Sequence, residues 1–439
     1  MKENITKNPE TPKKKKPFFI RLNFWSTHPE IEKATLKLID GYASAHSEKR
    51  GVQKKKYLTV AKVLILNLLK SHRLQQPLAY SRRDELYAIN RYNPSKLKAD
   101  TLCNLIDWMA EIPLIEHDKA KPSQAALKLK KNKKKKIRLN SSCLKIRSEL
   151  WSFLVLEPDL EYPSHTHPNF DPVILREKDT NDSKKNIEYR ETEVTTLIRQ
   201  FLNSYNDFRS KIQTEHLGQP VTLGKVVRIF NHPEFNKGGR FYWGLEVSVK
   251  RESRATFKLS GSDTVELDYK CLYPSILYSR AGKQLNPEKD SYRVYEDDDS
   301  NEKYRSLVKV AFACILDCKT HHGTVSAIKR AIEKSIEDET PLAEHDNPND
   351  LVRLIKEHNY FLNNYFGSKC STELQYHDSR MAEAIIGIFM KENKPILCVH
   401  DSFIVRVEDK DFLESTMKAI YSKFNNGFTI AISTVNHSK

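Results

Sequence analysis

The sequence lacks the features of a membrane or secreted protein. No apolar run in its 439 residues approaches the roughly 20 residues that crossing a bilayer requires. The lysine-rich N-terminal stretch has no apolar segment of the signal-peptide type, and it carries Glu3 and Glu10. We therefore expect a soluble protein with no membrane partner. A cytoplasmic location is expected, with nucleus and organelles left open.

Cysteines are few and do not form pairs of the CxxC type. The chain has 7, an odd number, which argues against a zinc ribbon or a disulfide framework. Cys314 and Cys318 lie four residues apart, but no second Cys or His pair completes a metal site, so ordinary core packing is expected for them. A reducing compartment fits this pattern best.

Basic residues, by contrast, are in excess. Lys and Arg number 73 against 57 Asp and Glu, a formal charge of +16. Such an excess indicates an anionic partner, of which nucleic acid is the commonest large one. The lysines are concentrated in runs at 13–16, 54–56 and 128–136. Each run is interpreted either as a solvated flexible loop or as a phosphate-contacting segment.

Apolar patterning changes character along the chain. Helical spacing at 57–69, 102–109 and 193–202 predicts a mainly helical N-terminal half. Strands are predicted at 221–230, 241–249, 264–267 and 395–407, and helices at 304–318, 325–336, 350–366 and 380–392. Strands followed by helices and a final strand pair predict an α+β fold.

Two aspartates stand out by their position. Asp268 ends the apolar segment VELD, where a carboxylate is poorly solvated unless a cation binds it. Asp401 lies in PILCVHDSFIV, which predicts a β-hairpin with the carboxylate at its tip, although Asp also favours turns for local reasons. The same tripeptide recurs at 377–379 before a helical segment, so Asp378 or Ser379 is predicted to cap that helix.

Carboxylates on adjacent strands suit a pair of Mg²⁺ ions, with Mn²⁺ as the alternative. In phosphoryl transfer one ion activates the attacking hydroxyl and the other stabilises the triphosphate and the leaving group. Arg305 and Lys309 lie one turn apart on a predicted helix, where they could bind a triphosphate or form a solvated basic stripe.

These segments resemble motifs of single-subunit right-hand polymerases, the group of family A DNA polymerases and phage-type RNA polymerases. VELDYKCLYPSI resembles motif A, with an LYPSI ending closer to family B; Arg305 and Lys309 resemble motif B; VHDSF at 399–403 resembles motif C. Asn236-Lys-Gly-Gly-Arg240 is similar to the template-contacting DxxGR motif, with Asn in place of Asp. The Tyr-Gly that ends motif B in the family is replaced here by Asp317-Cys318.

The resemblance implies a role for each matching residue. Asp268 and Asp401, with the backbone carbonyl of Tyr269, would hold the catalytic metals, and Arg305 and Lys309 the triphosphate. His400 would touch the primer end, and Arg240 the template or primer backbone. Tyr273 would lie beneath the sugar of the incoming nucleotide, where a bulky side chain favours dNTPs over NTPs, or would simply pack in the core.

The sequence therefore predicts a template-directed nucleotidyltransferase, a DNA polymerase before an RNA polymerase or primase. A template-independent transferase and an inactive relative that only binds nucleic acid also fit the pattern. The expected organisation is a basic tail at 1–18, a helical, thumb-like, nucleic-acid-binding region at 19–220, and a palm at 221–439 with fingers inserted at about 300–366. Primer and template, dNTPs or NTPs, and accessory replication proteins are the candidate partners. No proofreading exonuclease is recognisable.

Overall fold

A computed structural model describes residues 17–46, 54–87, 90–119, 142–160, 162, 165–178, 184–231, 233–286, 290–337, 341–345 and 347–437. The lysine runs at 13–16 and 128–136 lie outside these ranges, as does most of the predicted basic tail. The chain forms two compact units, unit 1 at Met1–Asp171 and unit 2 at Pro172–Lys439. The predicted division into a helical, nucleic-acid-binding region at 19–220 and a palm at 221–439 stays a prediction.

Unit 1 combines helices with short strands. Its helices are α1 (Pro29–Ala45), α2 (Lys54–Leu74), α3 (Ala99–Glu111) and α4 (Ser148–Leu154). Its strands are β1 (Phe18–Phe19), β2 (Phe24–Trp25), β3 (Leu78–Tyr80), β4 (Ile115–Asp118), β5 (Ser142–Ile146) and β6 (His165–Thr166). Four of these strands form a sheet of order β1-β3-β5-β4, which the sequence does not predict because strands of two to five residues are too short to show a period.

The predicted helix at 57–69 is confirmed as the centre of unit 1. Val63, Leu64, Ile65 and Leu68 of α2 have no exposed side-chain surface, so the helix is apolar on nearly every side. It packs against α1 and α3 in one hydrophobic cluster. A helix that is apolar all round is stable only when it is covered all round, as α2 is.

Unit 2 has a larger set of elements. Its helices are α5 (Glu193–Ser210), α6 (Leu245–Ser248), α7 (Leu272–Arg280), α8 (Asp298–Asp317), α9 (His321–Glu337), α10 (Pro348–His358), α11 (Ser371–Lys391) and α12 (Lys410–Phe424). Its strands are β7 (Val173–Lys178), β8 (Lys184–Ile187), β9 (Thr214–His216), β10 (Gln219–Pro220), β11 (Val227–Asn231), β12 (Gly238–Tyr242), β13 (Lys258–Leu259), β14 (Ser262–Tyr269), β15 (Ile396–Val399), β16 (Ser402–Arg406) and β17 (Ile432–Thr434).

Two sheets organise unit 2. The larger has the order β10-β9-β13-β14-β16-β15, with β17 pairing to the end of β14. The smaller has the order β12-β11-β7-β8. Helix α11 contacts both β12 and β15, and α12 contacts β14 and β16. The larger sheet thus carries β14 and the β15–β16 hairpin side by side, which positions the two predicted aspartates.

Mixed α and β structure is confirmed, but one predicted strand is wrong. The segment 241–249 ends its strand at Tyr242 and continues as helix α6. Trp243 has a φ of 75°, which breaks the extended backbone. Glu246 is then buried beside Arg209 of α5, with carboxylate-to-guanidinium distances of 2.8 and 2.9 Å. This buried ion pair favours helix α6 over the strand that the alternating apolar pattern predicts.

None of the described helices combines the length and apolar character that crossing a membrane requires.

Candidate active site

The structure brings Asp268 and Asp401 together at one edge of the larger sheet. Strand β14 pairs antiparallel with β16, and Asp268 lies opposite Ser402. Val399 pairs with Ser402 across the hairpin, so His400 and Asp401 form a two-residue turn between β15 and β16. The predicted hairpin is therefore confirmed, and Asp401 lies one residue from the partner of Asp268.

The negative charge of the Asp268 carboxylate is poorly compensated by neighbouring groups of the protein. Its Oδ1 atom is buried and has no hydrogen-bond partner among the described residues. Burial, and next the charge of Asp401, raise the pKa of Asp268 to about 7, while Lys309 acts in the opposite direction. Glu266, two residues earlier on the same strand, adds to the rise. Such a concentration of negative charge is a site that a bound cation would stabilise.

Arg240 and Asp378 form the second part of the site. Arg240 on β12 donates from Nε to Asp378 Oδ1 at 3.2 Å and from Nη2 to Asp378 Oδ2, a bidentate ion pair. Its Nη2 atom lies 3.7 Å from Asp401 Oδ1. Burial raises the pKa of the Asp378 carboxyl, and the Arg240 guanidinium opposes that rise. Arg240 thus links the hairpin carboxylate to helix α11.

Tyr273 belongs to the same network. Its hydroxyl donates to Asp378 Oδ2 at 3.1 Å, and its ring lies 5.6 Å from the Arg240 guanidinium carbon. Tyr273 stands in the first turn of α7, directly after the strand that carries Asp268. The residue is therefore held in position by a polar contact as well as by core packing.

The prediction that Asp378 or Ser379 caps a helix is wrong. Helix α11 begins at Ser371, a full two turns earlier, and both residues lie in its interior. Asp378 is 2% exposed, and Ser379 Oγ accepts from Arg228 at 3.0 Å. The helix begins early because Leu374 and Met381 continue the apolar face on either side of the polar tripeptide. A buried carboxylate paired across 138 residues leaves no local sequence signal.

His400 is held at the turn in a strained backbone conformation. Its φ is 61°, the left-handed region that non-glycine residues rarely adopt. Its ring packs edge-on against Tyr242 at 5.3 Å, and burial lowers the pKa of His400 to about 4. His400 Nδ1 is buried with no hydrogen-bond partner among the residues described. The imidazole is therefore neutral at physiological pH.

Helix α8 places the two predicted site residues Arg305 and Lys309 differently. Lys309 is exposed, and its positive charge acts to lower the pKa of Asp268. Arg305, one turn earlier, donates from Nε to Asp290 Oδ2 at 2.7 Å. Asp290 is also contacted by the Cys271 thiol at 3.0 Å. The charge of Lys309 thus acts on Asp268, whereas Arg305 is held on Asp290.

A cleft of about 160 Å³ lies beside this ion pair. Its wall combines the end of β14, the start of α7, Arg305 and the segment that leads into β17. The lining residues are Lys270, Cys271, Ser275, Leu285, Asn286, Asp290, Arg305, Thr429, Ile430, Ala431 and Ser433. Of the predicted site residues, Arg305 is the one that lines it.

The Tyr269 side chain has a structural role, since it joins the end of β14 to helix α12. It is buried, and its hydroxyl donates to the Met417 carbonyl of α12 at 2.8 Å. Any part that Tyr269 plays in the site therefore falls to its backbone, as the resemblance implies.

The carboxylates of Asp268 and Asp401 fit a hard divalent cation that is bound by few protein ligands. Among the described residues, no group of three or more His, Cys, Asp or Glu side chains could enclose a metal. Asp268 and Asp401 nevertheless offer two neighbouring carboxylates, one with a buried oxygen that lacks a partner. Mg²⁺ keeps several of its own waters and is commonly bound through one or two carboxylates together with substrate phosphates.

Comparisons with known proteins do not assign the chain to a family. No family model matches the chain, and no curated protein sequence does. A similar solved structure is the POL domain of Pol1 from M. smegmatis in complex with DNA primer-template and dNTP, with 12% identity and a TM-score of 0.28. The match covers 55% of this chain and 50% of that one, so the chain spans about half the length of that structure. A TM-score of 0.28 does not establish a common fold.

Proposed function

We propose that the protein is a nucleotidyltransferase that extends a nucleic acid on a template, and that it makes DNA. The observation that carries this proposal is the neighbouring pair Asp268 and Asp401, with Asp268 Oδ1 buried and without a partner among the described residues. A purely nucleic-acid-binding protein gains nothing from such a pair, because like charges in a poorly solvated site cost stability.

Asp268 and Asp401 would hold two Mg²⁺ ions, with the Tyr269 carbonyl as a further ligand. When bound, the ions would lower the pKa of the primer hydroxyl and stabilise the triphosphate and leaving group. Lys309, exposed and close enough to favour ionised Asp268, would bind the triphosphate electrostatically. Arg305 would join it after exchanging Asp290 for a phosphate oxygen.

The remaining site residues would position the nucleic acid. Arg240, fixed by Asp378, presents its guanidinium 3.7 Å from Asp401, where it can contact a backbone phosphate. His400, neutral and at the tip of the hairpin, can contact the primer end. In this proposal the larger sheet of unit 2 is the palm and the helices from α8 to α10 are short fingers.

Primer extension tests the function directly. The purified protein is incubated with Mg²⁺, labelled dNTPs or NTPs, and a primer that is either annealed to a template or alone. Extension of the annealed primer only, with dNTPs, is expected. Extension without template favours the template-independent transferase; NTP use favours the RNA polymerase or primase; no incorporation with nucleic-acid binding intact favours the inactive relative.

Sugar choice is expected to depend on Tyr273. Because the Asp378 contact fixes the ring beside the site, a ribose 2′-hydroxyl would overpack it at a cost of roughly 1–3 kcal/mol. Tyr273→Ala should therefore lower the preference for dNTPs over NTPs by about ten- to a hundredfold, as measured by the ratio of kcat/KM values. Tyr273→Phe, which keeps the ring, is the matched control. If Tyr273→Ala leaves the dNTP-to-NTP ratio of kcat/KM values unchanged, or if the wild type prefers NTPs, then Tyr273 does not exclude the ribose 2′-hydroxyl.

Metal binding is expected to appear in stability as well as in activity. The pKa of Asp268 is raised above its ordinary 3.8 to about 7, so the folded protein holds this proton more tightly and loses stability as pH rises through that window. Without metal at pH 8, Asp268→Asn should raise the unfolding temperature. Mg²⁺ should raise it for the wild type and not for Asp268→Asn. An equal Mg²⁺ effect on both proteins would place the metal elsewhere.

Nucleic-acid binding is expected to be salt-sensitive and independent of sequence. The net charge of +16 implies release of counterions from phosphates on binding. The affinity for a labelled primer-template should fall steeply between 50 and 200 mM salt, about tenfold or more if several phosphates are contacted. Anisotropy titrations at four salt concentrations measure how the affinity depends on salt. An affinity that does not change with salt would show that basic side chains do not bind the nucleic acid through its phosphates.

A further inference from the structure

Part of unit 1 has a recognisable order of elements. After α2 come strand β3, a short 3₁₀ helix at Asp84–Tyr87, helix α3 and the strands β4 and β5. Strand β5 lies between β3 and β4, and both pairings are antiparallel. Helices α2 and α3 pack together over this sheet in one apolar cluster. The order of these elements, and the position of β5 between β3 and β4, match a winged helix, in which α3 takes the place of the recognition helix and the short 3₁₀ helix that of the helix before it.

The charge of the chain is confined to the same unit. Residues 1–171 hold 34 Lys and Arg against 18 Asp and Glu, whereas residues 172–439 hold 39 of each. The whole net charge of +16 therefore belongs to unit 1, and the unit that carries Asp268 and Asp401 is neutral. The described residues of unit 1 hold 17 Lys and Arg against 14 Asp and Glu, so most of the excess lies outside them, with the lysine runs at 13–16 and 128–136. A polyanion is thus attracted to unit 1 first.

Two of the three carboxylates of α3, Asp107 and Asp100, are paired with basic side chains, and the third, Glu111, is exposed at the C-terminal end of the helix. Asp107 accepts from Arg82 at 2.7 and 2.9 Å and lies 3.1 Å from Lys119. Asp100, two turns earlier, is 3.6 Å from Lys56. Each of these two carboxylates therefore holds at least one cation beside the helix instead of repelling an approaching phosphate.

The N-terminal end of α3 adds exposed polar and basic side chains. Asn104 is exposed between the two paired carboxylates, on the same face of the helix. Lys96 and Lys98, exposed in the turn before α3, extend the basic surface to the start of the helix. In helix-turn-helix proteins this end of the recognition helix contacts base edges while neighbouring residues contact the backbone.

We propose that unit 1 binds double-stranded DNA, with the N-terminal half of α3 in a groove and Lys96 and Lys98 on phosphates. The lysine run at 128–136 lies outside the described residues and is no part of this surface. The inference does not depend on the activity proposed for unit 2. A protein with this module would hold duplex DNA through a unit other than the one that carries its catalytic carboxylates.

The test uses the full-length protein and three fluorescent probes of one length: duplex DNA, single-stranded DNA and duplex RNA. Duplex DNA should bind most tightly, with equal affinity in Asp268→Asn. The double variant Lys96→Gln/Lys98→Gln should lose about tenfold or more in duplex affinity, and its log–log salt slope should fall in magnitude by roughly 2.

The matched control is Lys391→Gln/Lys423→Gln, which removes two exposed lysines from α11 and α12 of unit 2. It should change duplex affinity by less than about twofold. The proposal is overturned by tighter binding of single-stranded DNA or of duplex RNA, or by equal losses in the two double variants. Circular dichroism confirms that both variants are folded before they are compared.

Discussion

Asp268→Asn and Asp401→Asn should each lower the rate of nucleotide incorporation by about a thousandfold or more. The structure places both carboxylates at one sheet edge, and loss of either should remove most of the several kcal/mol that a bound metal supplies to the transition state. Rates are measured under single-turnover conditions with saturating Mg²⁺. Binding of primer-template and the far-ultraviolet circular dichroism spectrum should stay close to those of the wild type.

Asp263 provides the matched control for these substitutions. It lies five residues before Asp268 on the same strand, is 78% exposed and pairs with Lys258 at 3.4 Å. Asp263→Asn should leave the rate within about twofold, because an exposed pair of this kind contributes little. Activity within tenfold of wild type in Asp268→Asn or Asp401→Asn would remove those residues from the reaction.

Asp378→Ala should be the most destabilising single change at the site. It leaves the Arg240 guanidinium, 17% exposed, without its bidentate partner, and breaking a buried pair in this way costs about 3–5 kcal/mol. It also frees the Tyr273 hydroxyl, so discrimination against NTPs should weaken in the fraction that folds. Urea unfolding measures the first effect and the dNTP-to-NTP ratio of kcat/KM values the second.

Glu373→Ala, on the same helix, separates this effect from a general loss of charge. Glu373 is half exposed and lies 3.8 Å from Lys237, so its loss should cost less than about 1 kcal/mol. Asp378→Asn, which keeps an acceptor for Arg240 and Tyr273, should restore part of the lost stability. If Asp378→Ala and Glu373→Ala cost the same, the buried network does not organise the site.

The sequence predicted those parts of the site whose signal is local. Asp268 follows an apolar run and Asp401 interrupts one, so strand ends and a hairpin tip could be predicted from neighbouring residues. Mixed α and β structure was likewise predictable, since the apolar periods of the longer helices and strands are clear.

The parts it missed depend on distant residues. Asp378 meets Arg240 across 138 positions and Tyr273 across 105, and neither contact leaves a pattern in the chain. Arg305 is held by Asp290, an aspartate in an irregular segment that no motif marks. The sheet of unit 1 consists of strands too short to show alternation. In each case tertiary packing, and not propensity, decides the outcome.

Single-nucleotide insertion tests the central proposal most directly. Wild type and Asp268→Asn are mixed with Mg²⁺, one dNTP at a time and four primed templates that differ in the first unpaired base. We expect wild type to insert mainly the complementary nucleotide opposite each base and Asp268→Asn to insert none above background. Insertion that ignores the templating base, or that survives in Asp268→Asn within tenfold of wild type, would contradict a template-directed reaction at these carboxylates.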